Sequence, residues 1–261
     1  MDEWSAAARA PDTGGVEAPS HRFRDAVADL VAGARCVGCA TPAPGLCPAC
    51  RAGLVLLEPA ATVRAVPGFP ATAATGPYDG ALRAVVLAAK ERGALGQLPL
   101  LGDLLALAVA RRLADAADPG PLLLVPVPSS PSAVVDRGLD FTGSLARRAA
   151  GRLRERGVGC RVAALVRPAR ALRDQAGLDR GARLGNSVGA YRCTAVPGDR
   201  VLVVDDVVTT GATLAAVAGV LREAGVVLLG AAVVAQTPQR LHPAPDARTR
   251  GRLDGTPASG G

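Results

Sequence analysis

Val201-Leu202-Val203-Val204-Asp205-Asp206-Val207-Val208-Thr209-Thr210-Gly211-Ala212-Thr213 is the stretch on which the fold of this chain turns. Four consecutive apolar residues, Val201 to Val204, predict a buried strand. Two adjacent carboxylates follow at its carboxyl end, where open α/β sheets place their ligands. Buried side by side they are too costly unless something pairs with them; ribose hydroxyls and a hydrated Mg2+ suit carboxylate oxygens. The turn from Thr209 to Thr213 opens a helix whose free N–H groups and dipole favour an anion, and its three hydroxyls add donors. Gly211 is expected to let the backbone approach a phosphate closely. An acid pair that merely caps the helix would need only one acid. A Walker-type loop is excluded, because G-x4-G-K-[ST] does not occur in the chain. The segment describes a pocket for a sugar that carries a phosphate.

Outward from this stretch, strand and helix alternate. Leu82, Val85, Val86 and Ala89 follow helical spacing between Asp79 and Arg92, with Lys90 at the helix end and Gly93 as the stop. A second helix is expected over about Leu98 to Ala116, and the apolar run Leu122 to Pro128 reads as a buried strand entering a loop. Helix over Thr142–Arg156, strand over Val162–Val166, helix over Thr213–Ala224 and strand over Val226–Ala235 complete the pattern. The alternation predicts an α/β fold with a mainly parallel sheet flanked by helices. The expected organisation is a flexible tail over 1–30, a cysteine module over 31–58, a connecting segment with helices over 59–120, the α/β domain over 121–240 and a second tail over 241–261.

A length of 261 residues suits one or two domains, and 49% hydrophobic residues exclude a wholly disordered or fibrous chain. Of the 30 basic residues only Lys90 is a lysine, a skew that matches the coding bias of a GC-rich genome. The net charge of +7 fits a nucleic acid, a phosphorylated metabolite or acidic lipid as partner, or composition alone. No basic segment followed by an apolar run opens the chain, so a cytoplasmic protein is expected. No apolar stretch reaches the ~20 residues of a membrane span.

Four of the six cysteines fall in two C-x2-C pairs, Cys36/Cys39 and Cys47/Cys50. In a reducing compartment, such knuckles are ligands more readily than disulfides. Two knuckles can complete a tetrahedral S4 shell, for which zinc is better suited than iron. The closed shell makes the site structural. A redox dithiol usually heads a helix in a βαβ unit, and Pro42, Pro44 and Pro48 speak against a helix here. Cys160 and Cys193 read as small buried hydrophobes.

The strand, acid pair and T-G-x-T turn together resemble the signature of the type I phosphoribosyltransferases, which bind phosphoribosyl pyrophosphate (PRPP). Within that class the chain resembles the ComF family of competence-associated proteins. The likeness rests on the paired knuckles and on Tyr78, Gly80, Leu82, Arg83 and Lys90. It extends over Pro126 and Pro128, Arg137 and Gly138, and Gln175, Arg183 and Asn186.

The resemblance implies a type I phosphoribosyltransferase-like fold with a small N-terminal zinc-binding module. Asp205 and Asp206 would be the catalytic pair on the ribose hydroxyls; Thr209, Thr210, Gly211, Ala212 and Thr213 would hold the 5-phosphate. Arg137, Gly138 and Arg173 would contact pyrophosphate, with Mg2+ bridging pyrophosphate and ribose. Residues 167–186 would form a lid that delivers arginines on closure. Glycosyl transfer to an unidentified acceptor and a role in DNA uptake are implied, the alternative being an inactive PRPP- or nucleotide-binding adaptor working with competence or DNA-processing proteins. Direct nucleic-acid binding is disfavoured by the lack of aromatics between Arg35 and Arg51. One departure stands beside the expected anion site: Asp140 replaces a neutral amide, and would weaken pyrophosphate binding unless it meets a metal or an arginine.

Overall fold

The computed structural model describes residues 33–114, 120–169 and 190–238. The expected tails, and the segment from Arg170 to Asn186 that includes Arg173, lie outside them. In chain order the elements are α1 (Pro48–Val55), β1 (Ala60–Thr62), β2 (Thr72–Pro77), α2 (Gly80–Glu91), a 3-10 turn (Leu95–Gln97), α3 (Leu98–Leu113), β3 (Leu122–Pro126), α4 (Pro131–Arg137), α5 (Phe141–Arg154), β4 (Cys160–Val162), β5 (Val166–Pro168), β6 (Tyr191–Cys193), β7 (Arg200–Val208), α6 (Ala212–Glu223) and β8 (Val227–Gln236).

Six strands form one sheet in the order β1-β2-β8-β7-β3-β4. Only β1 with β2 is antiparallel; the other neighbouring pairs are parallel. A separate antiparallel pair joins β5 and β6. The α/β class and the mainly parallel, helix-flanked sheet expected from the sequence are present.

Side-chain alternation along β7 explains the two cores. Leu202 and Val204 face Leu82 and Val85 of α2, Leu101 of α3 and Leu145 of α5. Val201 and Val203 face the other way, towards Leu214, Val217 and Leu221 of α6. A strand covered on both faces has no solvent side to make polar, which is why it reads as a continuous apolar run.

Residues 59–120 do more than connect, because β1 and β2 belong to the main sheet and β2 lies directly beside β8. The Thr72-Ala73-Ala74-Thr75-Gly76-Pro77 sequence carries little strand signal, since β-propensity reflects packing more than backbone preference. Here the small side chains let α3 settle close, and the buried Thr75 hydroxyl donates to the Leu104 carbonyl at 2.7 Å.

The short helix α4 was also unexpected, although its punctuation is legible. Ser130 caps it through a side-chain bond from the Ala133 N–H, Pro131 occupies the first turn, and Gly138 ends it with φ +62°.

Candidate functional site

The strand predicted over Val201–Val204 continues through both acids to Val208, pairing Asp205 with Val233 and Val208 with Gln236. Its other neighbour is shorter: β3 ends at Pro126, opposite Val204. The acids therefore overhang a notch beyond the end of β3, and the Val127–Ser130 loop and α4 wall the opposite side. The resulting cleft of about 260 Å3 is lined by Asp205, Asp206, Lys90, Arg137, Ser129 and Ser130, among others.

Alternation sends the two acids to different neighbours. Asp206 turns to the α2 side, where its buried carboxylate accepts from Lys90 Nζ at 2.5 Å through Oδ2 and from the Val207 N–H at 2.9 Å through Oδ1. Asp205 turns towards Tyr191 and accepts from the Asp206 N–H at 2.8 Å. Desolvation, and then the adjacent Asp206 charge, push the Asp205 carboxyl well above the usual carboxylate range. Tyr191 is raised in turn, first by burial and then by the Asp205 charge. The sequence placed Lys90 at a helix end without a role; its bond to Asp206 spans 116 residues and has no local signal.

The Thr209–Thr213 turn follows directly on the acid strand, with Thr209, Thr210 and Thr213 exposed. None of its residues is among those lining the cleft itself. Thr210 Oγ1 accepts from the Ala212 N–H at 3.3 Å, and Gly211 caps α6 with φ +88°. Gly211, expected from the sequence to let the backbone approach a phosphate, is also constrained by what covers its Cα. A Cβ there would lie 2.8 Å from the Phe69 ring and 3.1 Å from Arg64 Cγ. The glycine is required by its left-handed φ and by this side-chain lid.

Arg64 escaped the sequence reading. It is buried, and its guanidinium donates to the carbonyls of Thr209 at 2.8 Å, Thr237 at 2.7 Å and Val63 at 2.9 Å. Burial lowers its pKa. An isolated arginine between β1 and β2 offers no motif; only the fold shows that it braces the turn from behind.

Arg137, at the end of α4, lines the cleft, whereas Gly138 serves as the left-handed cap of that helix. Asp140 is held by backbone and hydroxyl donors. It is the N-cap of α5, accepting from the Gly143 N–H at 3.1 Å and the Ser129 hydroxyl at 3.3 Å. Helix N–H groups and the dipole neutralise it in place.

The four cysteines of the N-terminal pairs lie with all sulfurs within 4.8 Å of one another. Cys39 Sγ and Cys47 Sγ are 3.7 Å apart, close to the ~3.8 Å edge of a tetrahedron with Zn–S bonds of about 2.3 Å. Backbone N–H groups of Gly38 and Cys47 point at Cys36 Sγ, both at 3.3 Å, and that of Cys50 at Cys47 Sγ at 3.4 Å. The Cys47 N–H is the main reason the Cys36 thiol is lowered to about 6. Cys50, beside Cys39 and Cys47, is pushed up to about 12. Such a set can hold a metal ion such as zinc. The prolines did not prevent a helix: Cys47 caps α1, and Pro48 sits in its first turn, where no N–H is needed. The case for metal rests on four converging sulfurs.

Among the described residues, no helix is long and apolar enough to cross a membrane. Residues 134–251, just under half of the chain, match the phosphoribosyl transferase domain family. No curated protein matches the chain.

Proposed function

We propose, from the phosphoribosyl transferase domain matched over residues 134–251, that this protein binds PRPP with Mg2+ and transfers its ribosyl phosphate to an acceptor. The observation that carries this reading is the cleft in which Asp205 and Asp206 face Arg137 across the notch beyond β3. Asp205 and Asp206 hold the ribose hydroxyls. Thr209, Thr210, Gly211, Ala212 and Thr213 take the 5-phosphate on the N-terminus of α6. Arg137 neutralises pyrophosphate, held at the cleft by the Gly138 cap, and Arg173 is assigned to the same anion from outside the described residues.

The donor set suits a hard divalent cation: carboxylate and hydroxyl oxygens of Asp205, Ser129 and Ser130 share one cleft. Mg2+ bound with PRPP supplies charge neutralisation to the leaving pyrophosphate. In the reaction the bond from C1 to the pyrophosphate oxygen breaks and one from C1 to the acceptor forms. Positive charge gathers on the sugar between those events, beside two carboxylates. Positioning and electrostatics supply the rate, and no covalent nucleophile is needed.

The four-cysteine module is assigned structural zinc. Together with the family resemblance, these assignments support a ComF-type role in DNA uptake, exercised in the cytoplasm. Calorimetric titration with PRPP and Mg2+ tests the pocket: binding is expected for the natural protein and lost in Asp205→Asn with Asp206→Asn. An unchanged isotherm in that double variant overturns the assignment. Pyrophosphate release measured across a panel of nucleobases and other nucleophiles then separates a transferase from a PRPP-binding adaptor, which would show no turnover.

A further inference from the structure

The buried carboxylate of Asp206 has a specific counter-ion, and the counter-ion is the only lysine of the chain. The Asp206 side chain is 6% exposed, and burying a carboxylate is costly unless it is paired. Lys90 is 32% exposed and reaches it from the last turn of α2, an end of the helix that favours a cation. The same ammonium lines the cleft with Arg137, Ser129 and Ser130. It thus sits between a carboxylate that needs a ribose hydroxyl and a basic, hydroxyl-lined wall.

Lysine and arginine are not equivalent in that position. A guanidinium would clamp Asp206 through a fixed planar fork, whereas an ammonium on a flexible stem can keep one partner while turning another N–H to a second. We propose that Lys90 is a pyrophosphate-binding residue that doubles as the resting counter-ion of Asp206. In the free protein it occupies the Asp206 carboxylate and keeps the site poised. When the phosphosugar enters, its ammonium turns to a pyrophosphate oxygen, and the Asp206 oxygen it releases accepts the ribose hydroxyl. This inference rests on the PRPP reading of the cleft and adds to its arginines a lysine, contributed by the segment that precedes the matched domain.

A purely structural Lys90 would matter only while Asp206 is charged, and a double-mutant cycle separates the two roles. The probe is inorganic pyrophosphate with Mg2+, titrated calorimetrically into the full-length chain, its Lys90→Met and Asp206→Asn variants and the double variant. Lys90→Met is expected to weaken pyrophosphate about tenfold or more in both backgrounds, the loss of one charge-assisted hydrogen bond. If Lys90→Met costs nothing once Asp206 is asparagine, Lys90 is only a structural partner and the inference is overturned. The Asp206→Asn background also guards against misfolding, because the lysine can be removed there without stranding a buried charge; thermal melts check this. If the natural protein binds neither pyrophosphate nor PRPP, the reading of the cleft fails and this inference with it. If it binds both and only the cycle is flat, Lys90 alone is wrongly assigned.

Discussion

Arg64 Nε donates a 2.8 Å hydrogen bond to the carbonyl oxygen of Thr209, a residue 145 positions away. The same guanidinium holds the Thr237 carbonyl, so one buried cation ties the turn after β7 to the segment after β8. Replacing it with an apolar residue takes a charged donor from three carbonyls, those of Val63, Thr209 and Thr237. Arg64→Leu is expected to lower stability by about 2–3 kcal/mol, the usual cost for hydrogen bonds to a charged group. Urea unfolding measures that loss. PRPP affinity should fall as well, because the loosened turn is the one assigned to the 5-phosphate.

Gly211 combines a positive φ with a ring packed over its Cα. Gly211→Ala should therefore cost about 1–3 kcal/mol, from strain plus the collision with Phe69. Adding Phe69→Ala should return the steric part and leave the backbone part. A double variant whose melting temperature is no better than the additive sum would show that the ring is not the obstacle.

Asp140 caps α5 and is not an anion-repelling group. Asp140→Ala should cost about 1 kcal/mol of stability, as for other lost caps, without tightening pyrophosphate binding. Asp140→Asn keeps an N-cap oxygen and should unfold close to the natural protein. Pyrophosphate binding that strengthens tenfold in Asp140→Asn would restore the acid to the anion site.

Burial raises the folded-state pKa of Asp205, so the folded protein holds that proton more tightly than the unfolded chain does. Its contribution is most favourable below the ordinary value of 3.8 and is lost as pH rises through the elevated value. Asp205→Asn should therefore stabilise the substrate-free protein at neutral pH while abolishing PRPP binding, and the gain should vanish as pH falls towards 4. Chemical denaturation across a pH series would reveal the opposite slope if the carboxylate were instead stabilised by an unseen partner.

Purified protein should hold one zinc per chain in the Cys36, Cys39, Cys47 and Cys50 site, and chelation should lower its melting temperature. In the metal-free chain, Cys39 is exposed and its thiol is lowered, chiefly by Thr41, whereas Cys50 is pushed up to about 12. Alkylation at pH 7 followed by mass spectrometry should label Cys39 early and Cys50 last of these two. Cobalt in place of zinc should give the absorption of a tetrahedral thiolate site; an octahedral spectrum would exclude four sulfur ligands.

What the sequence determined by itself is chemistry held within a few residues of chain. The apolar run to Val204, the acids, the hydroxyl turn opening α6 and the two C-x2-C knuckles each depend on neighbours in the same turn or strand. Their spacing alone sets what they can bind. Where β7 ends, and that β2 would lie beside β8, were not legible, because small Ala and Thr side chains become strand only when α3 covers them. Tertiary structure alone decided how charge is balanced: Lys90 for Asp206, Arg64 behind Thr209, the α5 helix end for Asp140. The physical reason is that a buried charge accepts whichever partner packing delivers, and packing joins residues with no relation in sequence. Asp205 and Asp206 are adjacent and chemically identical, yet the pleat of β7 turns one towards a lysine and the other towards a tyrosine.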